Sequence, residues 1–219
     1  MAGTASSLRF ALMVTGVSGF LDAYTYLCRG GVFANAQTGN VIFLALDLSE
    51  RQWGQASQHL WPILAFVLGV AIATHVKRGK LDALLPYPIR WTVGLQVLVL
   101  AIIGFVPASV PHSFVTVPVA FLAAMQIELF RSIGGLNYVA VATTGNLMRW
   151  VEAGYTRLVE PTADSGHAVR VYSLVVLAFA GGAVVGAVAT QWLDVRAAWV
   201  AGGVLALTLV LFVIDERVD

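Results

Sequence analysis

A chain of 219 residues that is 58% hydrophobic and 11% charged, with a mean hydropathy of +0.81, lies outside the range of ordinary soluble domains. Thirteen Lys and Arg against twelve Asp and Glu leave a net charge of +1, which with so little soluble sequence argues against nucleic acid as a partner. The single cysteine, Cys28, rules out an internal disulfide, and no histidine cluster has metal-ligand spacing.

The opening MAGTASSLRF runs directly into an apolar stretch over about 8–28. It has no small-residue cleavage site after a short apolar core, so the expectation is an uncleaved first span. No Asp, Glu, Lys or Arg occurs in 54–76, 91–127, 171–193 or 197–214. A helix crosses the hydrocarbon core in roughly 20 residues, so these gaps predict further spans at about 59–76, 89–106, 112–131, 168–189 and 197–214. The long gap is hinged at Pro107-Ala-Ser-Val-Pro111. A soluble helical core would need a polar face every three to four residues, and none is present. The segment Arg157–Arg170 reads as the one polar loop of any length.

Two more uncharged stretches, Gly30–Leu46 and Ser132–Met148, carry nearly the same phrase: Ala36-Gln-Thr-Gly-Asn40 and Ala142-Thr-Thr-Gly-Asn146, 106 residues apart. Lys and Arg concentrate in short cytoplasmic loops. Six crossings with both termini cytoplasmic place ten of the thirteen basic residues inside, with Arg29, Arg51 and Arg196 outside; eight crossings divide them six to seven. The two stretches are therefore expected to enter the membrane without crossing it.

At the same offset of 106, Asp22 falls on Glu128, and Phe66-Val-Leu-Gly69 resembles Phe179-Ala-Gly-Gly182 further along. Three crossings per half is an odd number, so the second half must be upside down. The predicted fold is all-α integral membrane: six transmembrane helices as two inverted three-helix repeats, residues 1–108 and 109–219, each with a broken or re-entrant Thr-Gly-Asn segment. In secondary transporters of this build the site lies near the midplane, where broken helices meet.

Non-helical backbone at membrane depth survives only where protein buries it or a cavity hydrates it. Two helix N-termini converging at Thr38 and Thr144 would favour an anion or another electron-rich group. Candidate substrate-binding residues are Asp22, Gln37, Thr38, Gly39, Asn40, Gln126, Glu128, Thr143, Thr144, Gly145 and Asn146. The bland alternative makes Gly a packing contact and Thr and Asn interhelical ties. An acid within a span costs about 2.5 kcal/mol or more, so Asp22 and Glu128 are protonatable site groups, halves of ion pairs with Arg29 and Arg131 on the same helix faces, or interfacial residues without a role. The small-residue pairs Gly69/Ala73 and Gly182/Gly186 predict close helix crossings between the halves. The six tryptophans fall near span ends, as interfacial anchors do.

Ser18-Gly-Phe-Leu-Asp-Ala-Tyr24, followed by Gly30-Gly-Val-Phe33 and Gln37-Thr-Gly-Asn40, resembles the YoaK family of bacterial membrane proteins, a domain of unknown function. The resemblance covers essentially the whole chain and implies a bacterial inner-membrane protein of about six helices; it supplies no substrate. The expected function is a small-molecule or ion secondary transporter, with proton coupling through the acids. The rivals are a passive channel and a non-transporting scaffold or regulatory partner. No catalytic set, cofactor or metal is expected. The partners are the lipid bilayer, an unidentified small molecule or ion, and for some pathways a second copy of the chain.

Overall fold

The computed structural model describes residues 8–80, 87–130, 132–133, 135–140 and 143–218. Among the described residues eight α-helices follow one another: α1 (Leu8–Cys28), α2 (Gln37–Ser49), α3 (Trp53–His75), α4 (Pro88–Ile103), α5 (Ser113–Leu129), α6 (Thr143–Val159), α7 (Ala163–Leu193) and α8 (Ala198–Val218). Six match the spans read from the charge gaps; α2 and α6 are the helical parts of the two repeated segments. A π turn, Val76–Lys80, extends α3, and a two-residue hairpin, β1 (Ser132–Ile133) with β2 (Leu136–Asn137), precedes α6. By length and composition, α1, α3 with its extension, and the α7–α8 stretch can cross a membrane, while α4 and α5 are shorter apolar helices.

Local chemistry explains the boundaries. Gly30 and Gly31, at φ +80° and +73°, let the chain turn back after α1, and the Gly31 amide donates to the Tyr26 carbonyl. Pro88 opens α4 where its missing N–H costs nothing. Thr162 and Ser165 form a reciprocal capping box that starts α7 well before its apolar run. The predicted polar loop Arg157–Arg170 is therefore mostly helix, reduced to the three residues between Val159 and Ala163. At about 1.5 Å per residue, the 31 residues of α7 outreach a bilayer core.

The packing follows a fixed pattern. Helix α1 lies on α7 and α3 on α5; α2 packs on α3 and α6 on α7; α1 meets α8, α5 meets α4, and α4 meets α8. Both small-residue pairs make the predicted close crossings. A Cβ on Gly69 would meet the backbone of Phe121 in α5, one on Gly182 the backbone of Gly16, and one on Gly186 the backbone of Phe20 in α1. Helix α1 is the most enclosed of the candidate spans. Exposed apolar side chains such as Val67, Phe105, Leu177 and Trp192 cover the outside, which suits lipid rather than water.

Arg29, directly after α1, is not a solvated charge. It is fully buried and donates to the Tyr24 hydroxyl (3.0 Å) and to the carbonyls of Val106 (2.8 Å), Pro107 (3.2 Å) and Ile103 (3.5 Å). These carbonyls belong to the last residue of α4 and the turn after it, at the negative end of the helix dipole. Tyr24 in turn donates to the Val195 carbonyl beyond α7, so Arg29 fastens three parts of the fold.

Candidate functional site

The two repeated phrases lie on one cavity of about 1040 Å³. Its walls come from α1, α2, α3, α5, α6 and α7 and the loops before α2 and α6. Asp22, Gln37, Thr38, Glu128, Thr143 and Thr144 all line it. Gly39, Asn40, Gln126, Gly145 and Asn146 are not among its lining residues. The lining is duplicated: Asp22 and Glu128, Phe33 and Val139, Gln37 and Thr143, and Thr38 and Thr144 are each 106 apart in sequence. Phe66 and Phe179, like Val70 and Ala183, keep the offset of 113 that aligns the Gly69 and Gly182 segments.

The two asparagines off the cavity wall hold the segments in shape. Asn40 accepts from the Phe33 amide (3.0 Å) and donates to the Phe33 carbonyl (2.6 Å) and to Gln37 Oε1 (2.9 Å). Asn146 donates to the carbonyl of Val139 (2.8 Å), again seven residues back. Each is the buried residue of its short helix, and each pins the loop that leads into that helix. The glycines differ. A Cβ on Gly39 would sit 2.5 Å from the Phe33 ring, whereas one on Gly145 would meet only the end of Arg149 at 3.3 Å.

Asp22 and Glu128 share the wall but have different partners. Asp22 is 4% exposed, and its Oδ1 accepts from the amides of Asn35 (2.8 Å) and Ala36 (3.3 Å), directly before α2. Its Oδ2 is buried with no hydrogen-bond partner among the described residues. The ion pair with Arg29 does not form, because the guanidinium is committed to Tyr24 and to the end of α4. Glu128 pairs with Lys77 at 3.7 Å, and Lys77 also donates to the Glu128 carbonyl. The other suggested partner, Arg131, lies outside the described residues.

A carboxylate of the chain itself thus already takes the two amides that lead into α2, those of Asn35 and Ala36. Sequence reasoning missed Asn35, which donates from its side chain to the Ser18 carbonyl (2.9 Å) and holds the loop beside Asp22. It also missed Tyr26, Phe33, Phe66 and Phe179, whose apolar surroundings read as ordinary core. The fixed offset between Phe66 and Phe179 was the available signal.

The two segments also diverge. Helix α2 is apolar from Val41 to Leu46, while α6 sets Arg149, Glu152 and Arg157 among exposed Leu147, Trp150, Val151 and Tyr155. Tyr138 anchors the second loop by bonding Thr15 Oγ1 (2.8 Å) and the Ala11 carbonyl (3.2 Å) of α1.

A family model described as Protein of unknown function (DUF1275) matches residues 10–211. The chain belongs to this family. Over 138 residues it is 25% identical to the UPF0700 transmembrane protein YoaK of Bacillus subtilis (strain 168), a stretch covering 62% of this chain and 61% of that protein. No solved structure matches. Family, relative and apolar helices together make this a multi-pass membrane protein in contact with the lipid bilayer.

Proposed function

We propose that the protein is a secondary-transporter-type permease for a small molecule or ion, carried in the cytoplasmic membrane of a bacterium with both termini inside. Its site is the cavity between two inverted repeats, 1–108 and 109–219. The observation that carries this reading is the paired lining: six pairs of wall positions share two fixed offsets. The helix contacts support it, because exchanging α1–α4 with α5–α8 returns the same set of packed pairs. An inverted repeat with a midplane cavity is a recurrent transporter architecture, and a cavity of this size suits a small organic solute. Asp22 serves as the protonatable group. Glu128, already paired with Lys77, serves less directly, and no residue is assigned a catalytic role.

The test is a thermal-shift screen of the purified protein against cations, anions and neutral metabolites, with Asp22→Asn and Thr38→Ala alongside. A solute at 100 times its dissociation constant adds about 2.7 kcal/mol of stability. A hit that weakens in both variants supports a site on the paired lining. A hit untouched by either variant, or a flat screen with a co-purifying protein, overturns the reading in favour of a scaffold.

A further inference from the structure

We infer that the cavity takes an organic cation, with an ammonium-type head at Asp22 and an apolar body among the aromatic rings. This rests on the permease reading and names the substrate class for the same site. Three independent observations point the same way.

The first is the state of Asp22. It is 96% buried on the cavity wall, and one carboxylate oxygen has both local amides while the other has nothing. A buried carboxylate oxygen without a donor is costly. A cationic N–H group entering from the cavity relieves that cost with a charge-assisted hydrogen bond.

The second is the charge of the lining. Two carboxylates, Asp22 and Glu128, face the cavity, and no Lys, Arg or His is among its lining residues. Lys77 offsets Glu128 from outside the wall, being half-exposed itself. The site is thus negative at its Asp22 side, and the two amides just before α2, of Asn35 and Ala36, are already taken by Asp22.

The third is the aromatic content. Tyr26, Phe33, Phe66 and Phe179 line the same space, and Tyr26 and Phe33 stack at 5.0 Å. Ring faces attract ammonium groups and accommodate their alkyl or aryl bodies. A bare metal ion would want several oxygen ligands instead, and no group of three or more His, Cys, Asp or Glu side chains able to hold one occurs among the described residues.

The experiment uses the full chain in detergent and a matched panel: butylammonium, benzylammonium and cyclohexylammonium, each against the neutral alcohol and the carboxylate of similar shape. At least one cation is expected to bind at least about tenfold more tightly than its alcohol, the factor equivalent to about 1.4 kcal/mol. Asp22→Asn keeps an acceptor for Asn35 and Ala36, so it should fold, yet lose that preference. Glu128→Gln should retain most of it, because Lys77 already shares that charge.

Preference for carboxylates, no preference for cations over alcohols, or a preference that survives in Asp22→Asn overturns the inference. Anion or neutral binding that depends on Thr38 removes the charge assignment and leaves the permease standing. Cation binding at a cavity that opens to one membrane face only keeps the site and removes the permease.

Discussion

Replacing Asn40 and Asn146 separately by alanine distinguishes a structural pin from a ligand group. Asn40 makes three hydrogen bonds, two of them to the backbone of Phe33, while one is resolved for Asn146, to the Val139 carbonyl. At about 1 kcal/mol net per bond, the losses are about 3 and about 1 kcal/mol. Taking about 0.6 kcal/mol per bond, the average for polar contacts inside membranes, gives about 2 and about 0.6. With about 2–4 °C per kcal/mol for a chain of this size, Asn40→Ala should melt roughly 4–12 °C below wild type. Asn146→Ala should melt only about 1–4 °C below it. The sole cysteine, Cys28, is half-buried on α1, so a thiol-reactive dye reports unfolding without added labels. Asn40→Asp keeps the acceptor and loses both donated bonds, and should fall near the alanine variant. Equal losses at the two positions, or a larger one at Asn146, would refute the pinning account.

Three other outcomes are expected. Gly182→Ala should destabilise by about 1–3 kcal/mol, because its Cβ would meet the Gly16 backbone, while Gly181→Ala faces open space and should be neutral or mildly stabilising by melting temperature. Arg29→Met should cost about 1–3 kcal/mol, since it takes the guanidinium donor from the Val106 carbonyl, while the Pro107 and Ile103 carbonyls keep the backbone amides of Val110 and Val106; chemical denaturation measures it, and a loss below 0.5 kcal/mol, the scale of an ordinary surface change, contradicts the staple. His112, in the turn before α5, is held below its usual value of 6.5 by burial and then by the charge of Arg29. The folded state thus favours the neutral ring, so wild type should lose melting temperature as pH drops below 6.5, and His112→Asn should lose less.

Much of the cavity was legible from one number. The offset of 106 marked Asp22, Glu128, Thr38, Thr144, Gln37 and Thr143, and all six line the cavity. The same number could not separate wall from support. Asn40 and Asn146 bond to a carbonyl seven residues back, a contact that depends on how the loop turns at Gly30 and Gly31 or around the β1–β2 hairpin. Arg29 reads as a loop cation because its partners are backbone oxygens 74–78 residues away, and backbone acceptors leave no mark in sequence. Glu128 and Lys77, 51 apart, meet only because α3 packs along α5. The predicted pairing of Asp22 with Arg29 was reasonable for two residues two turns apart on a helix, but the end of α4 competes for the guanidinium and wins. The halves also diverged where one short helix kept an apolar surface and the other gained charge, and composition showed that without showing why.

The most direct measurement is two-sided labelling of single cysteines in membrane vesicles. Thr38→Cys and Thr144→Cys are made separately in a Cys28→Ser background and exposed to a membrane-impermeant thiol reagent from each face. The account expects each position to label from both sides, at rates that move in opposite directions when a bound solute shifts the population. Labelling from one face only, unchanged by any solute, would contradict the claim that the paired lining is a passage across the membrane.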